Sequence, residues 1–212
     1  MDFIPKQLAD YAEQHTSKET DSLHSLYRET HIKTIMPQMI AGHLQGAFLS
    51  MMSFMIQPKQ ILEVGTFTGY SAICLCSGLQ ENGMLHTIDI NEELQSMQKQ
   101  YFEKAGVSEK ITAHIGNALD IIPTIDATFD IVFLDADKIN YANYYDMVFD
   151  KVRKGGYIIA DNVLWSGKVL EEQKDKDTAA LDAYNKKIQE DTRVQNILLP
   201  IRDGIMIARK MM

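Results

Sequence analysis

Glu63-Val64-Gly65-Thr66-Phe67-Thr68-Gly69-Tyr70-Ser71 is the stretch on which the reading of this chain turns. It completes an apolar run, Ile61-Leu62-Glu63-Val64, expected to be a strand, and leads into a helix expected over residues 70–79. Two glycines four residues apart let a backbone turn sharply and approach a ligand closely. In open α/β sheets ligands bind beyond the carboxyl ends of strands, where the strand order reverses. A dinucleotide fingerprint requires glycine at position 67, which here is Phe67, so the turn suits a smaller nucleoside without a pyrophosphate. Glu63 points the same way: an acid there repels phosphate and attracts a cationic amino-acid end. Taken alone, the glycines also fit a tight strand-to-helix connection.

The next strand, Met84–Asp89, ends in an acid 24 residues beyond Gly65. A carboxylate at Asp89 is placed to accept both ribose hydroxyls, or to face the amino end of the following helix. Outward from here the alternation is regular. A helix is expected over 92–104, with Asn91 as its cap and Gly106 at its exit, then a strand at Ile111–Ile115 and a short helix over 118–122. A strand at Phe129–Leu134 precedes a helix over 140–150, a strand over 156–160 and a helix over 177–191. Two strands flank Asp203-Gly204, a hairpin signal. Strands alternating with helices imply a parallel sheet covered on both faces, and the hairpin makes one strand antiparallel. Residues 3–56 read as helical, broken at Pro37, so the chain is expected to form one domain, 1–212, with residues 1–56 as a helical extension.

Composition sets the limits. The chain has 212 residues, 45% hydrophobic and 24% charged, enough for an ordinary core without disulfides. No run of eighteen consecutive apolar residues is present, so no membrane span is expected. The start, Met-Asp-Phe-Ile-Pro-Lys, lacks the pattern of a secretion signal, and Cys74 and Cys76 are expected to stay reduced, in keeping with a cytoplasmic location. A net charge of −8 with no cluster of lysine and arginine disfavours nonspecific nucleic-acid binding and favours a small-molecule substrate; an RNA substrate stays open, because an acidic protein can still carry a locally basic patch.

The chemistry is expected at two other strand ends. One strand runs into Asp135-Ala136-Asp137-Lys138 and another into Asp161-Asn162-Val163-Leu164-Trp165, on the same rim as the glycine turn. Two carboxylates and an amide are hard oxygen ligands, suited to magnesium, manganese or calcium. The plainer reading makes Asp135 and Asp161 helix caps and Asn162 a turn residue. Lys138, three residues past Asp135, can face the same pocket; a nearby dication favours its neutral amine, the form a general base needs. Tyr141, Tyr144 and Tyr145 are expected to pack.

These residues together resemble the cation-dependent O-methyltransferases, the group that includes caffeoyl-CoA and catechol O-methyltransferases and bacterial relatives. The resemblance runs from about residue 36 to the C-terminus. It rests on Glu63 to Ser71, on Phe133-Leu134-Asp135-Ala136-Asp137-Lys138 with Tyr141, and on Gly156 to Asn162. It implies the class I methyltransferase fold, a Rossmann-like seven-stranded doubly wound sheet with a reversed last strand. It implies S-adenosylmethionine as methyl donor, contacted by Met39, Glu63, Gly65, Ser71, Asp89, Ala118 and Asp135. Asp135, Asp161 and Asn162 would hold a divalent cation, and Lys138 would be the base. A catechol-like or phenolic hydroxyl is the expected acceptor. A 5-hydroxyuridine in tRNA is the alternative, followed by a non-catalytic donor-binding module. A homodimer is expected, with the methionine-rich helix 44–56 as one candidate surface. His43 and Trp165 are candidates to touch the acceptor, and no secure counterpart is found near 199–203 for the late glutamate of the mammalian catechol enzyme.

Overall fold

The structure is a computed structural model and describes residues 4–212. Met1, Asp2 and Phe3, and with them part of the secretion-signal reading and the first three residues of the expected extension, lie outside the described residues. Three helices come first: α1 (Lys6–Gln14), α2 (Asp21–Lys33) and α3 (Gly42–Ile56). Then follow β1 (Gln60–Val64), α4 (Tyr70–Leu75), β2 (Met84–Asp89), α5 (Gln95–Lys104), β3 (Ile111–Ile115), α6 (Ala118–Ile121) and β4 (Phe129–Leu134). The chain finishes with α7 (Tyr141–Phe149), β5 (Val152–Ala160), α8 (Lys176–Glu190), β6 (Val194–Leu199) and β7 (Ile205–Lys210).

The seven strands form one sheet in the order β3-β2-β1-β4-β5-β7-β6. β7 runs antiparallel to both its neighbours, and the pairings among β1 to β5 are parallel. Strand order reverses between β1 and β4, which makes the rim beside Gly65 the switch point where such sheets bind ligands.

Alternation along the strands splits the core. Leu62, Val64, Val132, Leu134, Ile158 and Ala160 face α7 and α8. Ile61, Ile131, Phe133 and Ile159 face the other way, onto Leu26 of α2, Leu49 of α3 and Tyr101 of α5. With both faces covered, the central strands read as continuous apolar runs.

Local sequence explains most boundaries. Thr20 caps α2 by accepting from Leu23 N, and Asn91 accepts from Glu93 N, as expected, although the first turn there is a 3-10 turn. The helix expected over 70–79 ends sooner: α4 stops at Leu75 and a 3-10 turn runs to Gly78, where a Cβ would lie 2.2 Å from the backbone of Ser53. β5 begins four residues earlier than expected, because a register irregularity opposite Phe129 and Ile131 accommodates Gly155 at φ +76°.

Two features of the helical extension emerge only from the structure. Leu8 and Tyr11, apolar residues three apart, share one side of α1, yet α1 buries no residue and both side chains are exposed. The 20-residue segment Pro37–Ile56 does reach spanning length, with mean hydropathy 1.3, because its methionines, leucines and phenylalanines outweigh the polar residues that interrupt the run. Those polar residues are committed to the rest of the fold: buried Ser53 donates to the Leu75 carbonyl at 2.5 Å, and buried Gln45 donates to Asp161. α3 keeps Met51, Phe54 and Met55 exposed.

Candidate active site

In-register strand tips assemble the site. Val64 lies beside Ile88 and Leu134, and Leu134 beside Ala160, so the residues that follow are neighbours on one rim. The ladder continues one step past the strands: Gly65 N donates to Ile88 O, Asp135 N to Val64 O and Asp161 N to Leu134 O, at 2.8–3.0 Å. Gly65 sits at φ +102°, and a Cβ there would fall 1.9 Å from the Asp135 carbonyl oxygen. Only glycine permits that approach.

On the β1–β2 side, Glu63 is fully buried, with Thr87 donating to its Oε2 at 2.5 Å and Thr66 bonded in turn to Thr87. Its Oε1 has no hydrogen-bond partner. Burial pushes the carboxyl up to about 8, opposed by the Ser71 and Thr87 hydroxyls; Ser71 acts from beside it without completing a hydrogen bond to Oε1. An orphaned, buried carboxylate oxygen next to a glycine cradle is the state expected of a group that meets a cationic ligand. Asp89 holds the turn itself, accepting from Phe67 N at 2.7 Å and from Asn91 N at 2.9 Å. Gly116 N donates to Asp89 O, so the turn into buried Ala118 leaves from the same point, where Asn117 caps α6.

On the β4–β5 side, Lys138 Nζ donates to Asp135 Oδ1 at 3.1 Å, to Asn162 Oδ1 at 2.7 Å and to the Tyr141 hydroxyl at 2.7 Å. Asn162 reaches back to the lysine from a left-handed backbone at φ +60°, a conformation asparagine tolerates better than most residues. The Trp165 ring lies 5.7 Å from Nζ, so this side chain borders the cluster. Asp161 is also buried, but turned: its Oδ1 accepts from Asn162 N at 2.7 Å and its Oδ2 from Gln45 Nε2 at 2.6 Å. Burial, and then the charge of Asp135, raise its carboxyl above the ordinary aspartate value.

Asp135, Lys138, Asp161 and Asn162 are thus brought together, as are Glu63, Gly65, Ser71 and Asp89. Met39 is exposed on a 3-10 turn, next to Ile40, whose carbonyl accepts from Arg202. His43 bonds to the Ser17 carbonyl at 2.7 Å, a structural tie to the extension. Among the described residues no group of three His, Cys, Asp or Glu converges, so any cation site here depends on the Asn162 amide.

Three residues of the cluster were not read from the sequence as site residues. Tyr141 was expected to pack; it is fully buried, but its hydroxyl meets Lys138 and donates to the Asp161 carbonyl at 3.0 Å. Gln45 and Arg202 are the others, Arg202 donating to Gln45 Oε1 at 3.0 Å. The signal available was a lone glutamine on the inner side of an apolar helix. It needed a partner 116 residues away to gain meaning.

A family model described as O-methyltransferase matches residues 13–211. The chain belongs to the O-methyltransferase family. Caffeoyl-CoA O-methyltransferase 1 of Arabidopsis thaliana is 34% identical to it over 206 residues, covering 91% of this chain and 79% of that protein. The O-methyltransferase TomG from Streptomyces achromogenes, solved in complex with SAM, matches with a TM-score of 0.89 at 28% identity, over 97% of this chain and 96% of that one. An O-methyltransferase from Bacillus cereus, solved in complex with SAH, gives 0.89 at 26% identity, over 96% and 97%. This chain is therefore an S-adenosylmethionine-dependent O-methyltransferase of the caffeoyl-CoA O-methyltransferase type, with the fold expected of it. The reading of a non-catalytic donor-binding module falls away.

Proposed function

We propose that this O-methyltransferase methylates one hydroxyl of a catechol-like or phenolic small molecule, with a divalent cation held by Asp135, Asp161 and Asn162. The observation that carries this reading is the placement of Lys138 Nζ within hydrogen-bond reach of Asp135 Oδ1 and Asn162 Oδ1, at the rim beside Asp161. A nest of oxygens at the strand tips already gathers round one positive charge. Its donors are hard and anionic or amide in character, the set that magnesium, manganese and calcium prefer.

A bound dication supplies Lewis acidity that makes a neighbouring hydroxyl easier to deprotonate. The protein's own groups do the rest. Glu63, with its free oxygen, takes the cationic amino-acid end of the donor, and Asp89 takes the ribose hydroxyls. Gly65 lets the donor's centre pass close to the Asp135 backbone. Ser71, Ala118 and Met39 complete the donor contacts in this reading. In its neutral-amine form Lys138 accepts the acceptor's proton at Nζ and becomes the ammonium, while Tyr141 holds the nitrogen and Trp165 walls the pocket. Alignment of the oxygen with the sulfonium methyl then supplies much of the rate. A homodimer is part of the same reading, drawing on exposed Met51, Phe54 and Met55 of α3, and sedimentation of the purified protein checks it.

The test is transfer of labelled methyl to a panel of catechols and simple phenols, with magnesium, manganese or calcium and with excess chelator. Transfer is expected to need the cation and to collapse in Asp161→Ala, while SAH binding by calorimetry stays close to wild type. Full activity in chelator, or in Asp161→Ala, sinks the proposal.

A further inference from the structure

We infer that Gln45, locked in place by Arg202, is a positioning residue that orients Asp161 toward the cation; this rests on the cation reading above. Gln45 is fully buried in α3, and both ends of its amide are engaged. Its Nε2 donates to Asp161 Oδ2 at 2.6 Å, and its Oε1 accepts from Arg202 at 3.0 Å. An arginine can only donate, so the amide end facing Arg202 has to be the oxygen, and the nitrogen has to face Asp161. The amide cannot flip without setting its N–H groups against the Arg202 guanidinium and leaving the buried Asp161 carboxyl without its donor.

Arg202 is an exposed residue whose Nη1 is shared among acceptors on and beside α3. Its guanidinium also donates to the Ile40 carbonyl at 3.0 Å and to the Ala41 carbonyl, at the entrance to α3. The residue sits in the loop between β6 and β7 at φ +48°, a backbone state that a non-glycine residue keeps only when its surroundings insist on it. Three segments far apart in the chain therefore converge to hold one carboxylate. With Oδ1 fixed by Asn162 N and Oδ2 by Gln45, each oxygen keeps a lone pair for a cation but loses the freedom to turn away. Such outer partners of ligands commonly tune metal affinity by 10–100-fold.

The experiment uses Gln45→Glu, which keeps the shape and replaces the donor with an acceptor. Manganese binding to the full chain is followed by electron paramagnetic resonance, and SAH binding by calorimetry. Manganese affinity is expected to fall at least tenfold, with SAH affinity within twofold of wild type. Arg202→Met is expected to weaken manganese severalfold, and Arg202→Met combined with Gln45→Glu to be no worse than Gln45→Glu alone. Should Gln45→Glu fail to fold, Arg202→Met carries the test by itself. Wild-type manganese affinity in either soluble variant overturns the role of the relay and leaves the cation reading standing. Absence of manganese binding in the wild-type protein overturns both.

Discussion

Lys138 Nζ donates to Asn162 Oδ1 at 2.7 Å across 24 residues of chain, joining the loop after β4 to the loop after β5. In the structure the ammonium is the positive charge among the site oxygens. Lys138→Met removes both that charge and the amine that, in its neutral form, accepts the proton. Turnover is expected to fall by ~10²–10⁴-fold, the usual contribution of a positioned base, with SAH affinity within twofold. Without the ammonium, Asp135 and Asp161 repel each other unrelieved, so added magnesium should raise the melting temperature of this variant more than that of wild type. Steady-state kinetics and thermal melts check both statements, and wild-type turnover in the variant removes Lys138 from the mechanism.

Tyr141 links the same lysine to the backbone at Asp161. Tyr141→Phe leaves the ring in its pocket and deletes the hydroxyl. The Asp161 carbonyl loses a donor and Lys138 an acceptor, so a stability loss of about 1–3 kcal/mol is expected by chemical denaturation. Turnover should drop with little change in donor affinity. A variant as stable and as active as wild type would show that the hydroxyl is incidental.

Glu63 makes stability and donor binding depend on pH in opposite ways. Burial holds its carboxyl up at about 8, against an ordinary value of 4.5. Between these values the folded chain keeps a proton that the unfolded chain has released, so this group's contribution to stability shrinks as pH rises through the window, by up to ~1.4 kcal/mol per pH unit. A cationic donor end needs the carboxylate, so donor affinity is expected to strengthen as pH rises toward about 8. Glu63→Gln should flatten both slopes and bind SAH more weakly. Denaturation and calorimetry across the window measure both, and unchanged slopes in the variant would refute the assignment.

Gly65 and Gly106 both have positive φ, but only one is crowded. Gly65→Ala drives a Cβ into the Asp135 carbonyl, which cannot move without disturbing the β1–β4 ladder. A loss on the order of 3 kcal/mol and failure to bind SAH are expected. Gly106→Ala meets nothing within 4 Å and should cost only the left-handed backbone penalty of about 1–2 kcal/mol, with normal SAH binding. Equal behaviour of the two variants in melts and calorimetry would contradict the close-approach reading.

Much of this protein was legible in its residues. Strands buried on both faces are apolar throughout, and helices between them carry caps and exit glycines, so the alternation that sets the fold is written locally in Ile61 to Val64, Phe129 to Leu134 and their neighbours. Apolar strands that end in Glu63-Val64-Gly65, Asp89, Asp135 and Asp161 also announce which rim carries charge, because an acid there needs a partner. The ends of β5 and α4 were less legible, since a register irregularity and the crowding of Gly78 against Ser53 decide them.

Sequence by itself determined the strand order's raw material, the glycine cradle and the set of oxygens, since each depends on residue type and short spacing. Tertiary structure alone decided that Lys138 fills the nest, that Tyr141 turns its hydroxyl toward it, and that Gln45 and Arg202 aim Asp161. Those are pairings between segments distant in the chain, among polar partners that are mostly buried. Nothing in either segment taken alone marks a buried amide as more than a packed side chain.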